Sequence, residues 1–151
     1  GRAMKDQRVL SLFVLALLAA HISCSNRNPT APQGLGQSTW TGLITYSGGL
    51  TQSCPSSERI TVAVNVPADG SVTATFSSGC YGDVLFLGQS SAGTLAGQLR
   101  VSQKKCLDSD GYVEVVGQST GTLDASHIHL ETRRLSTSQC DWGSNVIDLR
   151  R

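Results

Sequence analysis

His127 and His129 are the residues in this 151-residue chain whose type and spacing first suggest chemistry. Two residues apart on an extended strand, they share one face. Two imidazoles so placed bind a zinc or copper ion when a third ligand, such as Asp124 or Glu131, comes near. Ile128 and Leu130 alternate with them and claim the inward face, so both histidines are expected outward, as polar strand residues beside solvent. No metal or other cofactor is expected.

Two further patterns carry a mechanism in principle. Gly117-Gln118-Ser119-Thr120-Gly121 matches the Gly-x-Ser-x-Gly pattern of serine hydrolases, whose nucleophile works on a sharp strand-to-helix elbow beneath an oxyanion hole. Here the surrounding sequence is rich in Gly and Ser, and Gln118-Ser119-Thr120 reads as a turn between two strands. Asp108-Ser109-Asp110-Gly111 opens like a calcium loop, but Tyr112 and Val113 follow and no Glu closes it, which leaves a polar turn. Paired catalytic carboxylates, a phosphate-cradling glycine loop and a Cys-His dyad are all missing from the sequence. No catalytic residue is assigned and no enzyme is expected.

The five cysteines organise the rest of the chain. Lys5 and Arg8 precede Val9 to Ala20, twelve residues interrupted only by Ser11. A bilayer span needs about 20 apolar residues, so this run reads as an export signal and not a transmembrane helix. Gly1 to Ala3 precede the first methionine and read as a cloning scar or a misplaced start. Ala19-Ala20-His21-Ile22-Ser23-Cys24 resembles the lipobox of bacterial lipoproteins, with His21 where that family usually has Leu. The resemblance implies cleavage before Cys24, lipidation of its thiol and, with Ser25 following, delivery to the outer membrane facing the periplasm or the cell surface. Cleavage near Ala20 or Ser23 instead leaves a soluble periplasmic or secreted protein. The expected organisation is a leader over 1–23, a solvated Ser/Asn/Pro/Gly-rich tether over 24–38, and one domain over 39–151.

With Cys24 set aside, an even set remains: Cys54, Cys80, Cys106 and Cys140. The compartment is oxidising and no CxxC occurs, so two disulfides are expected rather than zinc. Charged residues make up 15% of the chain and the net charge is +1, with no basic stripe, which argues against nucleic-acid binding.

Period-2 alternation and turn residues place eight strands, and the domain reads as all-β. They run over 39–46, 59–66, 71–77, 83–88, 93–102, 111–117, 121–133 and 145–150. In an antiparallel up-and-down order the odd-numbered loops gather at one end, and these are the four that carry cysteines. The tight turns near Pro67, Gln89 and Gln118 gather at the other. Nearest-loop pairing predicts Cys54 with Cys80 and Cys106 with Cys140; if the sheet closes, Cys54 with Cys140 also becomes feasible. Eight such strands close most naturally into a barrel, with a two-sheet sandwich as the alternative.

Trp40 opening the first strand and Arg150 or Arg151 closing the last resemble the lipocalin-like barrels, in which a Trp plugs the closed end beneath an Arg. Small barrel inhibitors of secreted proteases share the tryptophan-led meander. These resemblances imply a non-catalytic binding or interaction module: a carrier of a small apolar ligand inside the barrel, or a protein-binding module using the cysteine rim. A purely structural envelope protein is the remaining reading. At the rim, Trp142 is expected as an exposed anchor, with Tyr81, Asp108 and Asp110 beside it. The expected partners are the membrane, through the lipid, and an envelope protein or small apolar molecule.

Overall fold

The computed structural model describes residues 34–48, 55–104, 112–137 and 141–151. The leader, Cys24, Cys54, Cys106, Cys140, Asp108 and Asp110 lie outside the described residues.

Eight antiparallel strands close into one barrel: β1 (Gly36–Ser47), β2 (Ser57–Val66), β3 (Ser71–Ser78), β4 (Gly82–Ser91), β5 (Thr94–Lys104), β6 (Tyr112–Leu123), β7 (His127–Thr132) and β8 (Ser144–Arg150). Each strand pairs with its neighbour in sequence, and β1 pairs with β8, Ile44 lying opposite Ile147. The wall therefore has no open edge, and the sandwich alternative falls away. Alternation drives this outcome. On β2, Ile60, Val62, Val64 and Val66 are all buried while Thr61, Ala63 and Asn65 are exposed, and β3 repeats the pattern with Val72, Ala74 and Phe76. The inward set continues through Phe86, Leu95, Leu99, Val115, Leu130 and Ile147 to form a single core.

Three expectations need correction. Gln118-Ser119-Thr120 is no turn: it lies within β6, paired with Gln98, Gly97 and Ala96 of β5, and the chain reverses later, at 124–126. The glycines that mimicked turn signals are there because another backbone passes close by. A Cβ on Gly121 would collide with the His129 carbonyl, and one on Gly117 would meet Thr132 and Leu135. Gln89 likewise belongs to β4, and the turn falls at Ala92-Gly93. Finally, β1 begins at Gly36, so Gly36, Gln37 and Ser38, expected in the tether, pair with Val66, Asn65 and Val64.

The loops keep the expected alternation. Turns 67–70, 92–93 and 124–126, together with both ends of the described barrel at Gly34 and Arg151, lie at what we call the tight-turn end. Cys80 and the strand ends that flank residues 49–54, 105–111 and 138–140 belong to the opposite end.

Candidate functional site

The two histidines stand where expected. His127 and His129 face outward on β7 while Ile128 and Leu130 are buried. The partner that meets them is Asp148 of β8, which sits opposite His129 in the register. Asp148 Oδ1 lies 2.7 Å from His129 Nδ1 and 3.4 Å from His127 Nε2, while Glu131 Oε1 lies 3.2 Å from His129 Nε2. Hydrogen bonds to Asp148 and then Glu131 raise the His129 pKa above its ordinary value. The bond to His129 lowers that of Asp148. Asp124, the other expected ligand, is engaged in its own turn, accepting from the amides of Ser126 (2.7 Å) and His127 (2.8 Å). Among the described residues no group of three or more His, Cys, Asp or Glu side chains is arranged to hold a metal ion. The cluster is a polar latch between β7 and β8, closed by the His129–Asp148 hydrogen bond.

The rim departs from expectation. Trp142 is 3% exposed and Tyr81 is fully buried, so neither is a free anchor. The connection before β8 folds back on itself through the Ser136–Asp141 bridge and the Leu135–Trp142 and Gly143–Leu135 backbone bonds, with Arg134 clasping Asp141. This doubling turns the indole into the barrel end. There Tyr81 meets Trp142 edge-to-face at 5.7 Å and Tyr46 at 5.0 Å, and Asn145 Nδ2 donates to the Tyr81 hydroxyl at 3.2 Å. Burial pushes the Tyr81 pKa up to about 12.

Glu58 fastens this cap to the wall by accepting from the Tyr46 hydroxyl and from the Gly79 amide at 3.0 Å. Burial opposes its charge, but those bonds prevail and hold its pKa below the usual carboxylate value. Cys80, next to Gly79, is 2% exposed.

Between the ends the barrel is filled. Val62, Val72, Phe76, Phe86, Leu99 and Ile147 are among the side chains around a central gap of only about 20 Å³, an apolar space no larger than a water molecule. Trp40 is fully buried toward the tight-turn end. The covering arginine is a correction: Arg150 and Arg151 are both exposed, and the indole Nε1 donates instead to Ser38 Oγ at 2.8 Å. Ser119 of the hydrolase-like pattern points inward, 1% exposed, and shares a 2.9 Å hydrogen bond with Thr132.

The outer wall carries a trough that the sequence reading did not single out. Outward side chains of Thr75, Ser77, Asp83, Leu85, Arg100, Ser102 and Glu114, on β3 to β6, line an open hollow of about 380 Å³. The register explains the grouping: Thr75, Leu85, Arg100 and Val116 lie side by side in one row, and Ser102 opposes Glu114 in the next. Arg100 is lightly held, with Nη2 donating to Gln98 at 3.3 Å and Nη1 lying 3.6 Å from Glu114. Leu87 (39% exposed) and Val116 (37%) extend the apolar surface beside it. Alternation marks each of these residues as outward; only the pairing register makes them a group.

No protein family model, curated protein or solved structure matches this chain.

Proposed function

We propose that this chain is an exported, non-catalytic interaction module, anchored to the outer membrane through lipid on Cys24, that engages an envelope partner with its outer wall. The carrying observation is the contrast between an interior with about 20 Å³ of free space, capped by Trp40 at one end and Tyr81 and Trp142 at the other, and an outer trough of about 380 Å³. A carrier needs the reverse, since pockets for small molecules run to about 300–1,000 Å³ and bury most of the ligand. Leu85 and the loosely held Arg100 give the trough an apolar floor and a planar donor suited to a protein partner.

Pairing of Cys54 with Cys80, and by remainder Cys106 with Cys140, belongs to the same reading. It is supported by Cys80, which is buried between Gly79 and the fully buried Tyr81. It is also supported by the bond from Gly79 to Glu58, which draws the Cys80 turn toward β2, the strand that follows Cys54. The test is photo-crosslinking in intact bacteria from a photoreactive residue at Leu85, compared with one at Asn65, an exposed position on β2. A discrete adduct from position 85 alone supports the trough as contact surface. No adduct from position 85, together with co-purification of an apolar small molecule, returns the carrier reading.

A further inference from the structure

We propose that the tight-turn end of the barrel is itself a membrane-docking face, seated on the phospholipid headgroups of the bilayer that holds the lipid on Cys24. This rests on the lipid-anchored reading above. Gly34 is packed so closely against the backbone of Val66, Pro67 and Ala68 that a Cβ there would collide with it, which fixes the entry of the chain at this end. Ten residue steps separate Cys24 from Gly34. Fully extended they reach at most about 35 Å. The twelve residues of β1 run along a strand of about 40 Å, which at the usual barrel tilt makes a wall roughly 30 Å tall. An anchor at Cys24 therefore keeps the chain entry, and with it the tight-turn end, within about 35 Å of the bilayer surface.

The chemistry of this face suits that neighbour. Small apolar residues stand at its tips: Pro67, Ala68, Ala92 and Ala125 are all exposed. Its two acids, Asp69 and Asp124, each have one carboxylate oxygen engaged within their own turn. Asp69 Oδ1 accepts from the Ser71 amide and hydroxyl at 2.9 and 2.7 Å, and Asp124 Oδ1 from Ser126 and His127. Its cations are the reverse: Arg150 and Arg151 are exposed, and among the described residues neither side chain forms a hydrogen bond or ion pair. The Arg151 amide bonds to the Ser126 carbonyl at 3.2 Å, which sets the arginines beside the 124–126 turn. Two free guanidiniums beside small apolar tips are complementary to lipid phosphates.

The experiment uses the full chain purified from bacterial membranes and returned to vesicles of phosphatidylethanolamine with phosphatidylglycerol, with intact mass checked first. Hydrogen exchange is followed at turns 67–70, 92–93 and 124–126, with 79–81 at the opposite end as control. The expected result is several-fold slower exchange at the three turns than in a C24A chain free in solution, lost again in R150Q/R151Q although the lipid mass remains. Solution-like exchange at the three turns of the lipidated chain would overturn the proposal. If the mass shows no lipid on Cys24, the anchored reading fails separately. Co-sedimentation of that unlipidated chain with the same vesicles then decides the docking face: binding weakened about fivefold per arginine removed upholds it, and no binding overturns it.

Discussion

Replacing Leu99 with alanine probes whether the barrel interior is a packed core or a chamber. Leu99 is fully buried on β5 and borders the central gap of about 20 Å³. The substitution removes three carbons, worth about 2.4 kcal/mol at ~0.8 kcal/mol per buried methylene. A closed wall, hydrogen-bonded all the way round, relaxes little into the space, so a cavity term adds to the transfer term and the expected loss is about 3–4 kcal/mol, within the range measured for buried leucines. That is a large share of the ~5–15 kcal/mol typical of a domain. The assay is urea unfolding followed by far-UV circular dichroism with disulfides intact, comparing midpoints at unchanged slope. The enlarged apolar space should also take benzene, raising the midpoint of the variant and not of the wild type. A loss under about 1 kcal/mol with unchanged benzene response would refute the filled-core reasoning, because a chamber open to ligand tolerates a smaller wall.

Other consequences follow from the cap, the latch and the cysteines. Tyr81→Phe removes the acceptor of Asn145 Nδ2 inside the barrel and should cost about 1–2 kcal/mol in the same assay. The Glu58 pKa is depressed in the folded state, so its stabilisation is present above the unfolded value of 4.5 and is lost as pH falls through the folded value. Glu58→Gln should therefore cost roughly 1 kcal/mol at neutral pH, a gap from wild type that closes only as pH falls below 4.5 and through the depressed folded value. His129 has the opposite sign: its raised pKa contributes stability fully below 6.5, lost as pH rises through the folded value, and the pair is a third or more exposed, so the contribution is under ~1 kcal/mol. In Asp148→Asn, the His129 ring resonances should titrate at lower pH than in wild type. Peptide mapping without reduction should join the peptide of Cys54 to that of Cys80; a Cys80–Cys106 linkage would contradict the pairing.

What the sequence made legible was whatever alternation alone decides. Ile60 to Val66 announced β2 because one face had to be dry, and the succession of strands and turns announced an antiparallel meander. The histidines were also read correctly as outward, since Ile128 and Leu130 had first claim on the core. What stayed hidden depended on contacts across strands. Gly117 to Gly121 looked like a turn because its glycines carry two meanings, and only the close passage of β7 shows which applies. Trp142 looked like an exposed anchor because nothing local shows that its loop doubles back through Ser136 and Asp141. Asp148 is 19 residues from His129, and Leu85 and Arg100 meet only through strand register, so neither the latch nor the trough had a signal at short range.

The most direct test of the account is mass spectrometry of the protein purified from bacterial membranes, recorded under native and then denaturing conditions. The account predicts one mass in both, carrying lipid on Cys24 and two disulfides, with no small molecule released on unfolding. A native mass that exceeds the denatured mass by a discrete apolar passenger would contradict it, and would show the barrel interior to be occupied by a ligand instead of by its own side chains.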